Sequence, residues 1–109
     1  MTLSKRIAAL EGPDRAIDAV IAKALGWSET KSKDGTIGGP WVTPDFSVST
    51  LPYFSASIDA ALSIVEPSMQ DYIMDEAMKR VDSRVVIIGK FNEQLARAIC
   101  EVALEGKGL

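Results

Sequence analysis

The stretch Leu51 to Pro67, LPYFSASIDAALSIVEP, constrains the fold more than any other part of the chain. Pro52 biases Leu51 toward extended backbone, because the proline ring clashes with an α-helical predecessor. Ser55 or Ser57 can accept hydrogen bonds from the unpaired N–H groups of a first helical turn, and Asp59 puts a carboxylate where the helix dipole favours one. Ile58, Ala61, Leu62 and Val65 then recur at i, i+3, i+4 and i+7, a single apolar stripe. Pro67 cannot continue the helical hydrogen bonding, so the helix stops before it. This is a signal of architecture, and the chain carries no comparable signal of chemistry.

Helices flank that segment on both sides. Leu3, Ile7 and Leu10 mark a short first helix from Leu3 to Glu11, broken by Gly12-Pro13. Pro13 suits the start of a second helix, whose face is Ile17, Val20, Ile21, Ala24 and Leu25 and whose C-terminal cap is Gly26. A last helix runs from an Asn92 cap to Glu105 and ends at Gly106. Leu95, Ile99 and Val102 form its inner line, with Ala96, Cys100 and Ala103 beside it.

Two stretches read as extended or irregular. Residues 27–52 form a long connection rich in glycine, serine, threonine and proline, with Trp41-Val42-Thr43 and Phe46-Ser47-Val48 as strand-like patches. Its length makes it either a binding surface or a plain surface loop with a short edge strand. Val85-Val86-Ile87-Ile88, four β-branched residues before a glycine, fit a strand covered on both faces. A strand needs a partner. The run Asp71 to Val81 can be read as a helix, through Ile73, Met74, Ala77, Met78 and Val81, which its periodicity favours, or, over Asp71 to Lys79, as a strand, through the alternation of Tyr72, Met74, Glu76 and Met78. Folding it back through a turn near Asp82-Ser83 predicts a hairpin. The expected fold is therefore one α+β domain over residues 1–109, a small antiparallel sheet with helices on both faces.

These residues carry a resemblance to the phage ABA sandwich domain family of small phage and prophage proteins. LEGPDRAIDAVIAKALGW (Leu10 to Trp27) looks like that family's opening helix, LPYFSASIDAALSIV (Leu51 to Val65) like its most recognisable motif, and NEQLARAICEVAL (Asn92 to Leu104) like its closing helix. The resemblance implies an α/β/α sandwich and favours the hairpin over the helix for Asp71 to Lys79. It brings no catalytic residues with it.

Composition narrows the chemistry further. Twelve basic and fifteen acidic residues give a net charge of −3. The bases are scattered, so nucleic acid is not an expected partner. No apolar run is long enough to span a membrane, and MTLSKRIAALEG lacks the apolar core of a signal peptide, so a cytoplasmic location is expected. The chain has no histidine. That removes the commonest general base and metal ligand, and no metal or cofactor is expected. Asp14 with Asp18, and Asp71 with Asp75, read as solvated carboxylates on helix surfaces. Gly35, Gly38 and Gly39 lack the lysine and Ser/Thr of a phosphate loop. The single cysteine, Cys100, reads as a buried small hydrophobe.

One cluster could bind a ligand. Trp41, Tyr53, Ser55 and Ser57 stand at the mouth of the third helix, where free N–H groups suit a small anion and an aromatic ring could stack on a base. The alternative is that Trp41 and Tyr53 anchor the long loop while the serines cap. The leading expectation is a non-enzymatic phage- or prophage-derived accessory protein that binds a host or phage protein. The alternative is a protein that sequesters a nucleotide-like molecule, with Lys31, Lys33 or Lys90 supplying a positive charge; a third class, a small enzyme working with Asp, Glu or Lys alone, would need one such group buried with a shifted pKa. The open sheet edge would also admit pairing into a homo-oligomer.

Overall fold

A computed structural model describes residues 2–29, 40–84 and 88–109. The chain is α+β, with five α-helices and a three-stranded antiparallel sheet among the described residues. It forms two compact units, Met1–Asp14 with Tyr53–Leu109, and Arg15–Pro52.

The first unit is helical and built around one helix. Its elements are α1 (Leu3–Ala8), α3 (Ile58–Leu62), a 3₁₀ turn (Pro67–Met69), α4 (Gln70–Asp82) and α5 (Phe91–Gly106). Helices α1, α3 and α4 all pack on α5. Every residue from Leu95 to Leu104 is consequently buried, on all faces of the helix. The expected inner line of Leu95, Ile99 and Val102 is there, but Arg97, Ala98, Glu101 and Leu104 are buried too. Alanines at 96, 98 and 103 keep the helix thin enough for neighbours to approach it closely. Cys100 is fully buried, and its thiol donates to the carbonyl of Phe54 at 3.3 Å.

Helix α4 corrects the expected hairpin. Residues 71–79 lie within it rather than in a strand. Its buried side is Ile73, Ala77 and Val81, at i, i+4 and i+8, while Tyr72 and Met78 from the alternating pattern are exposed. Local preference decided the matter: Asp71 stands in the first turn, Lys79 and Arg80 in the last, and Lys79–Asp75 and Arg80–Glu76 pair at i, i+4 at 3.5 and 3.8 Å. Of the proposed partner strand, Val85, Val86 and Ile87 lie outside the described residues. Ile88 is in a turn and 98% exposed, so it is not a covered strand residue.

The second unit holds α2 (Arg15–Ala24) and the sheet β1 (Ser28–Glu29), β2 (Trp41–Val42) and β3 (Val48–Ser49), ordered β1-β2-β3. Ser28 pairs with Val42 and Glu29 with Trp41; Trp41 in turn pairs with Ser49 and Val42 with Val48. Among the described residues the sheet thus forms inside the long connection, with β2 and β3 at the two strand-like patches. Gly26, with φ +93°, lies in the left-handed region that favours glycine, and the Trp27 N–H returns to the Ala22 carbonyl at 2.9 Å.

Asp18 is another correction. It is 1% exposed rather than solvated, and its Oδ2 accepts from Arg15 Nη1 at 2.9 Å. Arg15 also donates to the carbonyls of Pro52 at 3.0 Å and Leu51 at 2.8 Å, tying the first turn of α2 to the end of the unit. A buried carboxylate is stable only when so partnered.

Candidate functional site

The four residues singled out from the sequence occupy quite different environments. Trp41 is fully buried in β2. Tyr53 is 60% exposed. Ser55 is fully buried, and its hydroxyl accepts from the Asp14 N–H at 2.9 Å and donates to the Asp14 carbonyl at 3.3 Å. Ser57 is the N-cap of α3, accepting from the Ala60 N–H at 3.2 Å. Ser55 and Ser57 therefore act on their own backbone surroundings, one as a tether and one as a cap. Of the basic residues considered with them, Lys31 and Lys33 lie outside the described residues, and Lys90 pairs with Glu93 at 3.8 Å.

An apolar groove of about 140 Å³ opens elsewhere in the helical unit. Its floor is Val65, Ile73 and Ala103, one residue each from the α3 exit, α4 and α5, all less than a tenth exposed. Ile64 and Met69 form its sides, and Glu66 and Lys107 stand at its rim. Helix α3 ends early, at Leu62, and the chain turns through Ile64 and Val65 before Pro67 starts the 3₁₀ turn. That early end opens the groove. The Gln70 amide braces this turn, its Nε2 donating to the carbonyls of Leu62 and Val65, both at 3.4 Å, beside the Val65 N–H that already donates to the Leu62 carbonyl at 3.0 Å. Gly106, at the end of α5, lines the groove without a side chain, and a Cβ there would meet nothing within 4 Å.

One residue of the lining is itself open to solvent. Met69 is 44% exposed, and Tyr72, one turn further along the chain, is 62% exposed. Small-molecule sites commonly enclose roughly 300–1,000 Å³. A groove of this size instead suits one apolar side chain inserted from a larger partner, with Glu66 and Lys107 meeting polar groups at the edge. Sequence reasoning missed it because its walls come from three separated segments. The available signal was Met69 and Tyr72, large apolar residues beside a proline stop that the apolar stripe of α4 does not use.

Several charged groups of the unit are engaged with one another. Glu101, 3% exposed, accepts from Arg84 in a two-pronged pair, Nη1 to Oε2 at 2.6 Å and Nη2 to Oε1 at 2.9 Å, with Arg80 Nη1 3.6 Å away. Arg80 also meets Glu105 at 2.6 Å. These carboxylates hold both guanidiniums charged more firmly than usual. Among the described residues no group of three or more acidic or thiol side chains is placed to hold a metal ion, and no helix is long and apolar enough to cross a membrane. Comparison with protein-family models, with characterised proteins and with solved structures gives no match.

Proposed function

We propose that this protein acts by binding another protein, and that the groove between the α3 exit, α4 and α5 takes an apolar side chain of that partner. The observation that carries the reading is a groove with a buried apolar floor and an exposed Met69 in its lining, with Tyr72 exposed one turn further along the chain. Exposed methionine and aromatic side chains are enriched at the centre of protein interfaces. The resemblance to small phage and prophage proteins supplies the expected setting, an accessory factor engaging a host or phage protein, and supports that part alone.

The test is native mass spectrometry of the protein isolated from phage-infected and uninfected bacterial cells, with Gly106→Leu and Tyr72→Ala beside the parent chain. A Cβ at position 106 meets nothing within 4 Å, and Tyr72 is exposed, so both variants should remain folded. A polypeptide that co-purifies with the parent and is lost from both variants is the expected result. A co-purifying small molecule retained by both variants would replace this reading with sequestration.

A further inference from the structure

We propose that a second, polar cleft between α1, α4 and α5 binds a carboxylate group through the side chain of Arg97. The cleft holds about 70 Å³ and is lined by Leu10, Val81, Arg84, Gln94, Arg97 and Glu101, with the last turn of α1 closing one side. Its volume admits a few waters or one small planar anion and excludes a nucleotide.

Arg97 is unlike the other arginines of the unit. It is 6% exposed, and its Nη1 donates to the Ser55 carbonyl at 3.1 Å. Among the described residues it makes no other hydrogen bond and no ion pair. No buried side-chain nitrogen among them lacks a partner. The Nε and Nη2 groups must therefore keep their contact with open space, and the cleft that Arg97 lines provides it. Nε and Nη2 are the adjacent donors on one edge of the guanidinium, the edge that matches the two oxygens of a carboxylate.

Glu93 and Glu101 attract the Arg97 guanidinium through space, but both are ion-paired elsewhere. Glu101 is paired with Arg84 on both oxygens and approached by Arg80. Glu93, one turn before Arg97, pairs with Lys90. Two guanidiniums and one carboxylate thus line the cleft, an excess of one positive charge. A buried charge without a full partner is costly, and an entering carboxylate would relieve that cost. Burial pulls the Arg97 pKa below its ordinary value, against the opposing attraction of Glu93 and Glu101.

The carboxylate could be a free small acid or an acidic side chain of a protein partner, and the two are separable. The measurement is the Arg97 Nε–H resonance of the ¹⁵N-labelled full chain, titrated with sodium acetate, with a short glutamate-containing peptide, and with sodium chloride at matched ionic strength. A saturable shift with acetate or peptide but not with chloride is expected. Stronger binding of the peptide identifies a partner side chain as the source, and stronger binding of acetate a free acid. Arg97→Lys keeps the charge and removes the two-donor edge, so it should weaken binding by about tenfold or more. Failure of both acetate and peptide to move the resonance, or an equal shift with chloride, overturns the proposal. The parent titration decides the matter even if the variant does not fold.

Discussion

Removing Arg84 should destabilise the helical unit more than neutralising the carboxylate it holds. Glu101 is 3% exposed, whereas the Arg84 side chain is 43% exposed. Arg84→Ala takes away both close donors and leaves a buried carboxylate with Arg80, whose nearest nitrogen is 3.6 Å away and which is also engaged by Glu105. Breaking a buried pair from one side costs about 3–5 kcal/mol when the remaining charge has no other partner. With Arg80 still near, we expect about 2–4 kcal/mol. Glu101→Gln keeps the shape and one acceptor oxygen, and it frees an arginine that can return to water. Its expected cost is about 1–2 kcal/mol, the scale of a lost charge-assisted hydrogen bond. Urea unfolding at neutral pH, followed by circular dichroism at low and high salt, measures both values. Salt should change the difference little, because the carboxylate is shielded from solvent. Equal losses in the two variants, or an Arg84→Ala loss below about 0.5 kcal/mol as for an ordinary surface pair, would refute the reasoning.

Other consequences are open to simpler tests. Ile99→Ala, at a fully buried position on α5, should cost about 2–5 kcal/mol in the same unfolding assay. Phe46 has φ +67° and is 89% exposed, so Phe46→Asn removes left-handed strain while losing little burial; it should raise stability by up to about 1 kcal/mol, and Phe46→Val should lower it. Hydrogen bonding from Thr43 and Ser47 lowers the Asp45 pKa. The contribution of Asp45 is therefore present above the aspartate pKa of the unfolded chain and lost as pH falls through the lower folded value. Carbon-detected NMR titration should place its midpoint below about 3.9, and Thr43→Val should raise it.

Much of the fold was legible wherever a local rule had no competitor. Ser57 and Asp59 set the start of α3, Gly26 ends α2 in the left-handed region, and the spacing of Leu95, Ile99 and Val102 marks the inward side of α5. The Asn92 cap is off by a turn boundary: α5 begins at Phe91, just after Gly89 with φ +81°, and Lys90 takes the capping position without a side-chain bond. Residues 71–79 lean toward helix by periodicity, but the need for a strand partner for Val85 to Ile88 and the family resemblance point the other way. Their helix formers and i, i+4 ion pairs settled the helix. The burial of Arg97 and Glu101 was hidden, since charged residues inside an apolar pattern read as a solvated edge. Three helices covering α5 on all sides is a tertiary fact. The apolar groove is a product of the same packing, and only Met69 and Tyr72 announced it.

The helical unit stands or falls on α5 being wrapped by helices, α4 among them. Backbone chemical shifts with amide hydrogen exchange on the full chain test this directly. Helical shifts throughout Gln70–Asp82 and the slowest exchange within Leu95 to Leu104 are expected. Extended shifts over residues 71–79, or rapid exchange along α5, would contradict the packing and remove the groove and the Arg97 cleft together.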